Sequence, residues 1–254
     1  MPVSHTPRLN TRLLCWSAAA AVLLLSAGCA ATRLHESVQL ARQSEPLQRP
    51  LTEPRARLLI VGDSTAVGTG ASGPEASVAG LLAQAYPGLL IENRARDGAT
   101  FAEVPHQLGA SADRFDAVLV LAGGNDVIRL RDLDTLPDHL ARIATLARAR
   151  ADTLVLMPAG NVGNAPFFFP PLSWWMSSRS RELHAMVREA AARHGAAYVS
   201  LYKDKHDDPF AQQKSLNASD GLHPSDAGYR LWFQELLAQS PLGQRLAAAR
   251  APGS

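Results

Sequence analysis

The chain has 254 residues, 46% of them hydrophobic, and a formal net charge of +2. This length allows one domain with a substantial core and leaves little sequence for a second domain. Because the charge is nearly balanced, the chain lacks the basic excess typical of nucleic-acid-binding proteins, and we expect no nucleic-acid partner.

The first 28 residues have the pattern of a signal peptide. Arg8 and Arg12 precede an apolar run, Leu13–Leu25, that is too short to span a bilayer comfortably. The sequence Leu-Ser-Ala-Gly-Cys, ending at Cys29, follows and resembles a bacterial lipobox, the signal for cleavage before a lipid-modified cysteine. This resemblance implies that residues 1–28 are removed and that Cys29 carries fatty acyl groups such as palmitate. An uncleaved anchor helix is the alternative.

The residues after the cysteine indicate a location and a linker. Ala30 follows the cysteine where an aspartate would signal retention, so the same resemblance favours the cell envelope, on the periplasmic side of the outer membrane. Residues 29–56 are polar and contain Pro46, Pro50 and Pro54. A few helical turns could form there, but the prolines predict a tether between the lipid and the domain.

Strand-like and helix-like segments alternate through the predicted domain, residues 57–245. Five short runs rich in Val, Leu and Ile are typical of buried parallel strands: Leu58–Val61, Leu89–Glu92, Ala117–Leu121, Thr153–Met157 and Ala196–Leu201. Helix-like segments follow them: Glu75–Ala85, Phe101–Leu108, Leu133–Arg148, Ser178–Arg193 and Asp226–Ala238. This alternation predicts an α/β fold, a three-layer sandwich around a five-stranded parallel sheet. Residues 246–254 are expected to form a flexible tail.

Polar residues follow the ends of these predicted strands. In parallel sheets, ligands bind beyond the carboxyl ends of the strands, so we expect these loops to meet at one edge. In chain order they contain Gly62-Asp63-Ser64, Asp97-Gly98, Gly123-Gly124-Asn125-Asp126 and Asp220-Gly221-Leu222-His223-Pro224. The loops thus contain a serine, a histidine and carboxylates, which are the groups that acyl transfer uses.

Ser64 is the predicted nucleophile and His223 its general base. A serine hydroxyl becomes an effective nucleophile when a base removes its proton. His223 stands out among the eight histidines because Asp220 lies three residues before it, where a carboxylate can hold the imidazole N–H. Asp63 and Asp126 are interpreted as carboxylates that brace their loops.

The remaining histidines give weaker signals. His206, Asp207 and Asp208 could suggest a metal site, but adjacent polar residues on a loop are more typical of a solvated turn, and we predict no metal. Four histidines lie in or beside helix-like segments and are expected to face solvent: His106, His139, His184 and His194.

A second motif competes for the first loop. Residues Gly68 to Gly73 match the glycine pattern G-x-G-x-x-G of dinucleotide-binding proteins, and Glu92 has about the spacing of a ribose-binding acid. In those proteins the glycines begin where the strand ends, whereas the predicted strand ends near Val61. A flexible turn before the helix is therefore the preferred interpretation, and no organic cofactor is expected.

The four polar loops together resemble the four blocks of the SGNH/GDSL hydrolase family. They occur in the family's order between Leu58 and Ala238, and the departure is Thr65, where the family name has leucine. The resemblance implies a flavodoxin-like sheet, serine esterase activity and no metal or organic cofactor. It also implies an oxyanion hole formed by the Ser64 N–H, the Gly98 N–H and the Asn125 side-chain amide.

One stretch lies outside these blocks: Phe167 to Trp175, which contains Phe167-Phe168-Phe169-Pro170-Pro171 and Trp174-Trp175. Ordinary loop packing, a wall for an acyl group and an apolar lip against a membrane are all compatible with it. We expect an esterase that prefers short acyl chains, from acetyl to hexanoyl. A lysophospholipase, a glycan O-acetyl esterase and a non-catalytic envelope binding module remain alternatives, and the sequence leaves the oligomeric state open.

Overall fold

The structure, a computed structural model, describes residues 28, 31–109 and 113–248. Five parallel strands form one sheet in the order β2-β1-β3-β4-β5. Their bounds are Ala56–Gly62 (β1), Leu89–Asn93 (β2), Ala117–Leu121 (β3), Thr153–Leu156 (β4) and Ala197–Tyr198 (β5). This confirms the predicted five-stranded parallel sheet.

Helices cover both faces of the sheet. In the described part of the chain they are residues 31–43 (α1), Ser64–Val67 (α2), Val78–Ala85 (α3), Val104–Leu108 (α4), Gly124–Ile128 (α5), Leu136–Arg148 (α6), Leu172–His194 (α7), Pro209–Gln212 (α8), Asp226–Gln239 (α9) and Leu242–Ala248 (α10). Single-turn 3₁₀ helices occupy Pro74–Ala76, Leu133–Thr135, Val162–Asn164 and Lys214–Leu216.

Alternate residues of the strands point into two separate cores. Leu58 and Ile60 of β1 belong to one core, together with residues of α3, α9 and α10. Leu59 and Val61 belong to the other core, with residues of α4, α6 and α7. The predicted three-layer α/β sandwich is therefore confirmed, and the continuous apolar strands reflect burial on both faces.

Two element bounds differ clearly from the prediction. Helix α7 begins at Leu172 rather than Ser178, because Pro171 occupies the N-cap, where a proline is compatible with a helix start. Strand β5 contains only Ala197–Tyr198 instead of Ala196–Leu201, since its pairing with β4 is limited to these two residues.

The segment predicted as a tether packs on the domain over much of its described length. Residues 31–43 form α1, and Leu47 is buried in the core beneath α3 and α9. Arg49 forms an isolated antiparallel bridge with Ile91 of β2, with N···O distances of 2.9 and 3.1 Å. The apolar contact and the free edge of β2 account for this difference from the sequence-based expectation.

The chain ends give less information. The C-terminal helix α10 buries Leu246 at a position predicted to start the tail. Residues 1–27, Cys29 and residues 249–254 lie outside the described residues, and with them the predicted signal peptide, the lipidation site and most of the tail. Within the described ranges, no helix has the length and apolar character required to cross a membrane.

Candidate active site

Ser64, His223 and Asp220 are in direct contact. The Nε2 atom of His223 lies 3.0 Å from the Ser64 Oγ, and its Nδ1 lies 2.6 Å from Oδ2 of Asp220. Because an ionised carboxylate can only accept hydrogen bonds, the Nδ1–H donates to Asp220 and leaves Nε2 free to accept the serine hydroxyl proton. Ser64 and His223 are 9% and 8% exposed, whereas Asp220 is fully buried. The arrangement suits proton transfer from a serine hydroxyl at a surface that substrate can reach.

Local backbone geometry explains why Ser64 stands at the end of β1. Gly62 has φ of +143°, and a Cβ there would lie 1.7 Å from the carbonyl oxygen of Leu121 on β3, so only glycine fits. Asp63 then caps α2, accepting hydrogen bonds from the Thr65 N–H at 2.9 Å and its hydroxyl at 2.7 Å. This cap fixes Ser64 at the first position of the helix, beyond the carboxyl end of the strand.

The loop that carries His223 also holds Asp220 in its charged form. One oxygen of Asp220 accepts the backbone N–H groups of Leu222 and His223, at 2.9 and 3.1 Å, while the other contacts the imidazole. Burial alone would raise the pKa of Asp220, but the hydrogen bond and charge of His223, with the backbone donors, hold this pKa below its usual value. Asp220 is thus suited to orient a histidine and to stabilise its cation.

The predicted oxyanion donors lie at the mouth of the same loops. Gly98 has φ of +77°, a conformation that favours glycine, and it lines the cleft with Ser64 and Asn125. The Asn125 Nδ2 donates to the Ala99 carbonyl at 3.2 Å, which orients the amide and leaves its second N–H available. Among the described residues, the Ser64 and Gly98 N–H groups donate to no protein acceptor. The three predicted donors therefore belong to residues that line one cleft, and their role as an oxyanion hole stays a prediction.

Asp63 and Asp126 accept hydrogen bonds that brace their loops, and neither makes a hydrogen bond to His223 among the described contacts. Asp126 accepts the backbone N–H of Phe101 at 3.1 Å, and Asp63 caps α2. Burial raises the pKa of each carboxyl group to about 6, although hydrogen bonds from Thr65 and Phe101 partly oppose this effect. The structure agrees with the interpretation of both residues as loop-bracing.

The Ser64 hydroxyl opens into a cleft of about 390 Å³, a size typical of small-molecule sites. Helix α1 lies beside the cleft and forms one of its walls, which the sequence-based expectation of a tether did not include. The cleft-lining residues of α1 have the spacing i, i+3, i+4, i+7 of a single helix face: Leu34, Ser37, Val38 and Ala41. This spacing is the feature of the sequence that could have indicated a helix packing one face on the domain. Further apolar lining comes from Ile128, Ala159, Phe167, Leu201 and Phe210.

The aromatic stretch divides into an inner and an outer part. Phe167 lines the cleft, and its N–H donates to the Gly221 carbonyl at 2.9 Å, next to the loop that carries His223. Phe168 packs against the core that contains residues of α4, α6 and α7. Beyond Pro170 and Pro171, which are joined by a cis peptide bond, the side chains are exposed: Leu172, Trp174 and Trp175. Phe169, just before the prolines, is exposed as well.

His184 corrects one sequence-based expectation, since it is buried rather than solvent-facing. It lies on the inner stripe of α7 with Ser180, Val187 and Ala191, a helical spacing that sequence analysis overlooked. Its Nδ1 lies 2.6 Å from the Tyr198 hydroxyl and its Nε2 lies 2.7 Å from the Ala159 carbonyl. Burial lowers the pKa of His184 to about 4, so the imidazole is neutral at physiological pH.

The two weaker motifs have structural roles. A Cβ at Gly70 would lie 2.8 Å from the Cβ of His223, so this glycine allows the loop after α2 and the segment that carries His223 to approach closely. Asp208 caps α8 and accepts a hydrogen bond from Asn164 at 2.7 Å, while His206 and Asp207 are exposed. No group of three or more potential metal-ligating side chains is present in the part of the chain that the structure covers.

Solved structures share this fold at low sequence identity. TesA superposes with a TM-score of 0.57 at 21% identity, over 72% of this chain and 97% of that protein. A lipolytic protein G-D-S-L family member from Veillonella parvula DSM 2008 gives 0.58 at 17%, over 72% and 96%. Phospholipase A1 from Streptomyces albidoflavus NA297 gives 0.57 at 19%, over 73% and 99%.

Sequence comparison assigns the family. No curated protein sequence is significantly similar to the chain. Residues 60–231, more than half of the chain, match the profile of the GDSL-like Lipase/Acylhydrolase family, in agreement with the four sequence blocks. The chain therefore belongs to the GDSL-like lipase/acylhydrolase family, the SGNH/GDSL hydrolases.

Proposed function

We propose that the protein is a serine esterase that hydrolyses carboxylic esters through an acyl-enzyme intermediate. The observation that carries this proposal is the continuous chain of contacts from the Ser64 Oγ to His223 Nε2 and from His223 Nδ1 to Asp220. Membership of a family of lipases and acylhydrolases supports the same reaction class.

The proposed reaction has two halves. His223 Nε2 removes the Ser64 hydroxyl proton while the Oγ attacks the ester carbonyl, and the Ser64, Gly98 and Asn125 donors stabilise the oxyanion that forms. The imidazolium, stabilised by Asp220, then gives its proton to the departing alcohol and leaves an acyl group on Ser64. In the second half, water gives a proton to His223 and attacks the acyl group. The imidazolium then returns the proton to the Ser64 Oγ as the bond between Oγ and the acyl carbon breaks, which releases the acid and restores the Ser64 hydroxyl.

Short acyl groups are the proposed preference. The cleft of about 390 Å³ has to hold the alcohol part of the ester as well as the acyl part. A long acyl tunnel would raise kcat/KM steadily with chain length, since each buried methylene contributes about 0.8 kcal/mol. The prolines at 170 and 171 interrupt the aromatic run, which favours a rim over a lined tunnel.

The proposed location is the cell envelope, with the enzyme anchored through lipid on Cys29. This part of the proposal is supported by the lipobox-like sequence alone. It is compatible with α1 starting close to Cys29, because the fold then begins directly after the anchor.

A panel of p-nitrophenyl esters from acetate to palmitate, together with an acetylated glycan, tests the activity. Wild type should hydrolyse the short esters best, and Ser64→Ala should lose this activity. Ser178→Ala, a serine exposed on α7, serves as the matched control and should retain it. Failure of wild type on every ester would contradict the proposal and favour a non-catalytic binding module.

A further inference from the structure

Large exposed hydrophobic side chains of the described residues are concentrated on two segments of the chain, one of which, α1, lines the cleft. Six of them lie on α1 and on residues 169–175, and we name this set the apolar rim: Leu34, Val38, Phe169, Leu172, Trp174 and Trp175. The remaining large exposed hydrophobic residue in the described ranges is Leu130, which follows Ile128 and Arg129 of the cleft lining. Exposed apolar residues are usually scattered, so their concentration on these two segments indicates a surface that meets another apolar phase.

The two halves of the apolar rim are joined. The Arg33 guanidinium of α1 donates to the Pro166 carbonyl, and its carbon lies 4.8 Å above the ring of Phe169. Leu34 follows Arg33 directly and both lines the cleft and remains 58% exposed. The contact joins α1, which lines the cleft, to the start of the exposed aromatic stretch, although the two are distant in sequence.

We propose that the apolar rim docks on a lipid bilayer, so that the cleft opens toward the membrane surface. The inference uses the anchor of the proposed function and holds for either interpretation of the N-terminus, since a lipid on Cys29 and an uncleaved helix over Leu13–Leu25 both leave the chain at a bilayer. Residues 29 and 31 can be separated by at most roughly 7 Å. With a lipid on Cys29, the first turn of α1, with Leu34, therefore starts next to the membrane; with an uncleaved helix ending at Leu25, it starts within roughly 20 Å of that helix.

The composition of the apolar rim suits a bilayer interface. Trp174 and Trp175 are 69% and 51% exposed, and tryptophan is enriched where acyl chains meet headgroups because it combines an apolar ring with an N–H donor. Residues 165–181 contain no acidic side chain that lipid phosphates would repel, and residues 31–43 contain one, the half-buried Glu36. Arg33 lies over the ring of Phe169, and the exposed Arg129 lines the cleft with Leu34 and Val38. Such arginines can reach the headgroups while their stems cover apolar groups.

Tryptophan quenching in the anchored full-length protein tests this orientation. The protein is reconstituted in vesicles of phosphatidylcholine and phosphatidylglycerol, with or without bromine on the acyl chains. The signal from the rim is the difference between wild type and Trp174→Phe/Trp175→Phe. The background comes from Trp232, and also from Trp16 if the N-terminal helix is uncleaved. We expect brominated lipid to quench this difference signal strongly. Trp232→Phe is the matched control, because Trp232 is buried, and should keep the quenching.

An unquenched difference signal, with the protein still bound to the same vesicles, would overturn the proposal. If the vesicle signal stays unquenched and the protein forms a dimer in detergent that shields Trp174 and Trp175 from solvent, a second copy of the chain covers the apolar rim instead of the bilayer. The readout needs no catalysis, so it fails independently of the esterase assignment.

A second measurement links docking to turnover. Trp174→Ser/Trp175→Ser should leave hydrolysis of soluble p-nitrophenyl acetate unchanged, because neither side chain lines the cleft. Hydrolysis of an ester embedded in vesicles should fall about tenfold or more, as two aromatic side chains no longer enter the bilayer. Equal loss on both substrates, or loss on neither, would contradict the proposal.

Discussion

The His223 Nε2 lies 3.0 Å from the Ser64 Oγ, although 159 positions separate the two residues. Packing behind them fixes this distance. Gly70, on the loop after α2, lies against His223 in a space that admits no Cβ, and the buried Tyr229 hydroxyl of α9 donates to the Thr69 carbonyl at 2.8 Å. The loop after the serine is therefore held directly against the segment that carries the histidine.

The carboxylate of Asp220 is expected to matter through the histidine that it orients. Asp220→Asn should lower kcat by about 10⁴-fold, the loss seen when a triad carboxylate becomes an amide and the histidine adopts the wrong tautomer. Steady-state kinetics on a short p-nitrophenyl ester measures this effect. Asp207→Asn, an exposed carboxylate on a neighbouring loop, is the control and should leave kcat unchanged. A wild-type rate in Asp220→Asn would remove Asp220 from the mechanism.

The amide of Asn125 should act mainly in the transition state. Asn125→Ala is expected to lower kcat by about 10²–10³-fold with little change in KM, because the lost donor stabilises the oxyanion and not the bound ester. Asn125→Asp keeps the size but replaces the donor with a negative charge, so its loss should be at least as large. A 10²–10³-fold rise in KM with unchanged kcat would instead show that Asn125 only binds substrate.

His184 should make the protein less stable in acid. The pKa of His184 lies near 4 in the folded state and near 6.5 in the unfolded chain, so the unfolded state binds more protons between these values. The free energy of unfolding should therefore fall by about 3 kcal/mol, relative to His184→Gln, as pH drops from 7 to 4. Urea unfolding of both proteins across this range gives the difference, in which the titration of Asp63 and Asp126 cancels. A pH-independent difference would mean that His184 is not a buried neutral imidazole.

Cys29 should carry anchorage and no catalysis. Cys29→Ser is expected to release the protein from the membrane fraction with its soluble-ester activity intact, since the cleft is built from residues of the folded domain. Fractionation followed by a carbonate wash measures the distribution. Retention of Cys29→Ser on the membrane would favour the uncleaved anchor helix.

The sequence predicted the sheet and the candidate triad because their signals are local. Short apolar runs define the strands, Ser64 follows the first of them directly, and Asp220 precedes His223 by three residues. The donors Gly98 and Asn125 came from resemblance to the family, since neither residue type by itself indicates an oxyanion site.

The sequence did not predict what long-range packing decides. The place of α1 beside the cleft depends on Arg33, whose partners Pro166 and Phe169 lie far along the chain, and the prolines between residues 46 and 54 favoured a tether instead. The burial of His184 follows from the face that α7 turns toward Tyr198 and Ala159. The position of His184 on the buried face of α7 does not by itself show that the imidazole has two buried hydrogen-bond partners.

Labelling with a fluorophosphonate, which forms a covalent bond with an activated serine, tests the assignment of Ser64 most directly. Intact-mass and peptide mass spectrometry of the full-length protein should show one adduct, located on Ser64, in wild type and in Ser178→Ala. Ser64→Ala should remain unlabelled, and His223→Ala should react far more slowly because the hydroxyl has lost its base. Full labelling of Ser64→Ala, or an adduct on another residue of wild type, would contradict the account.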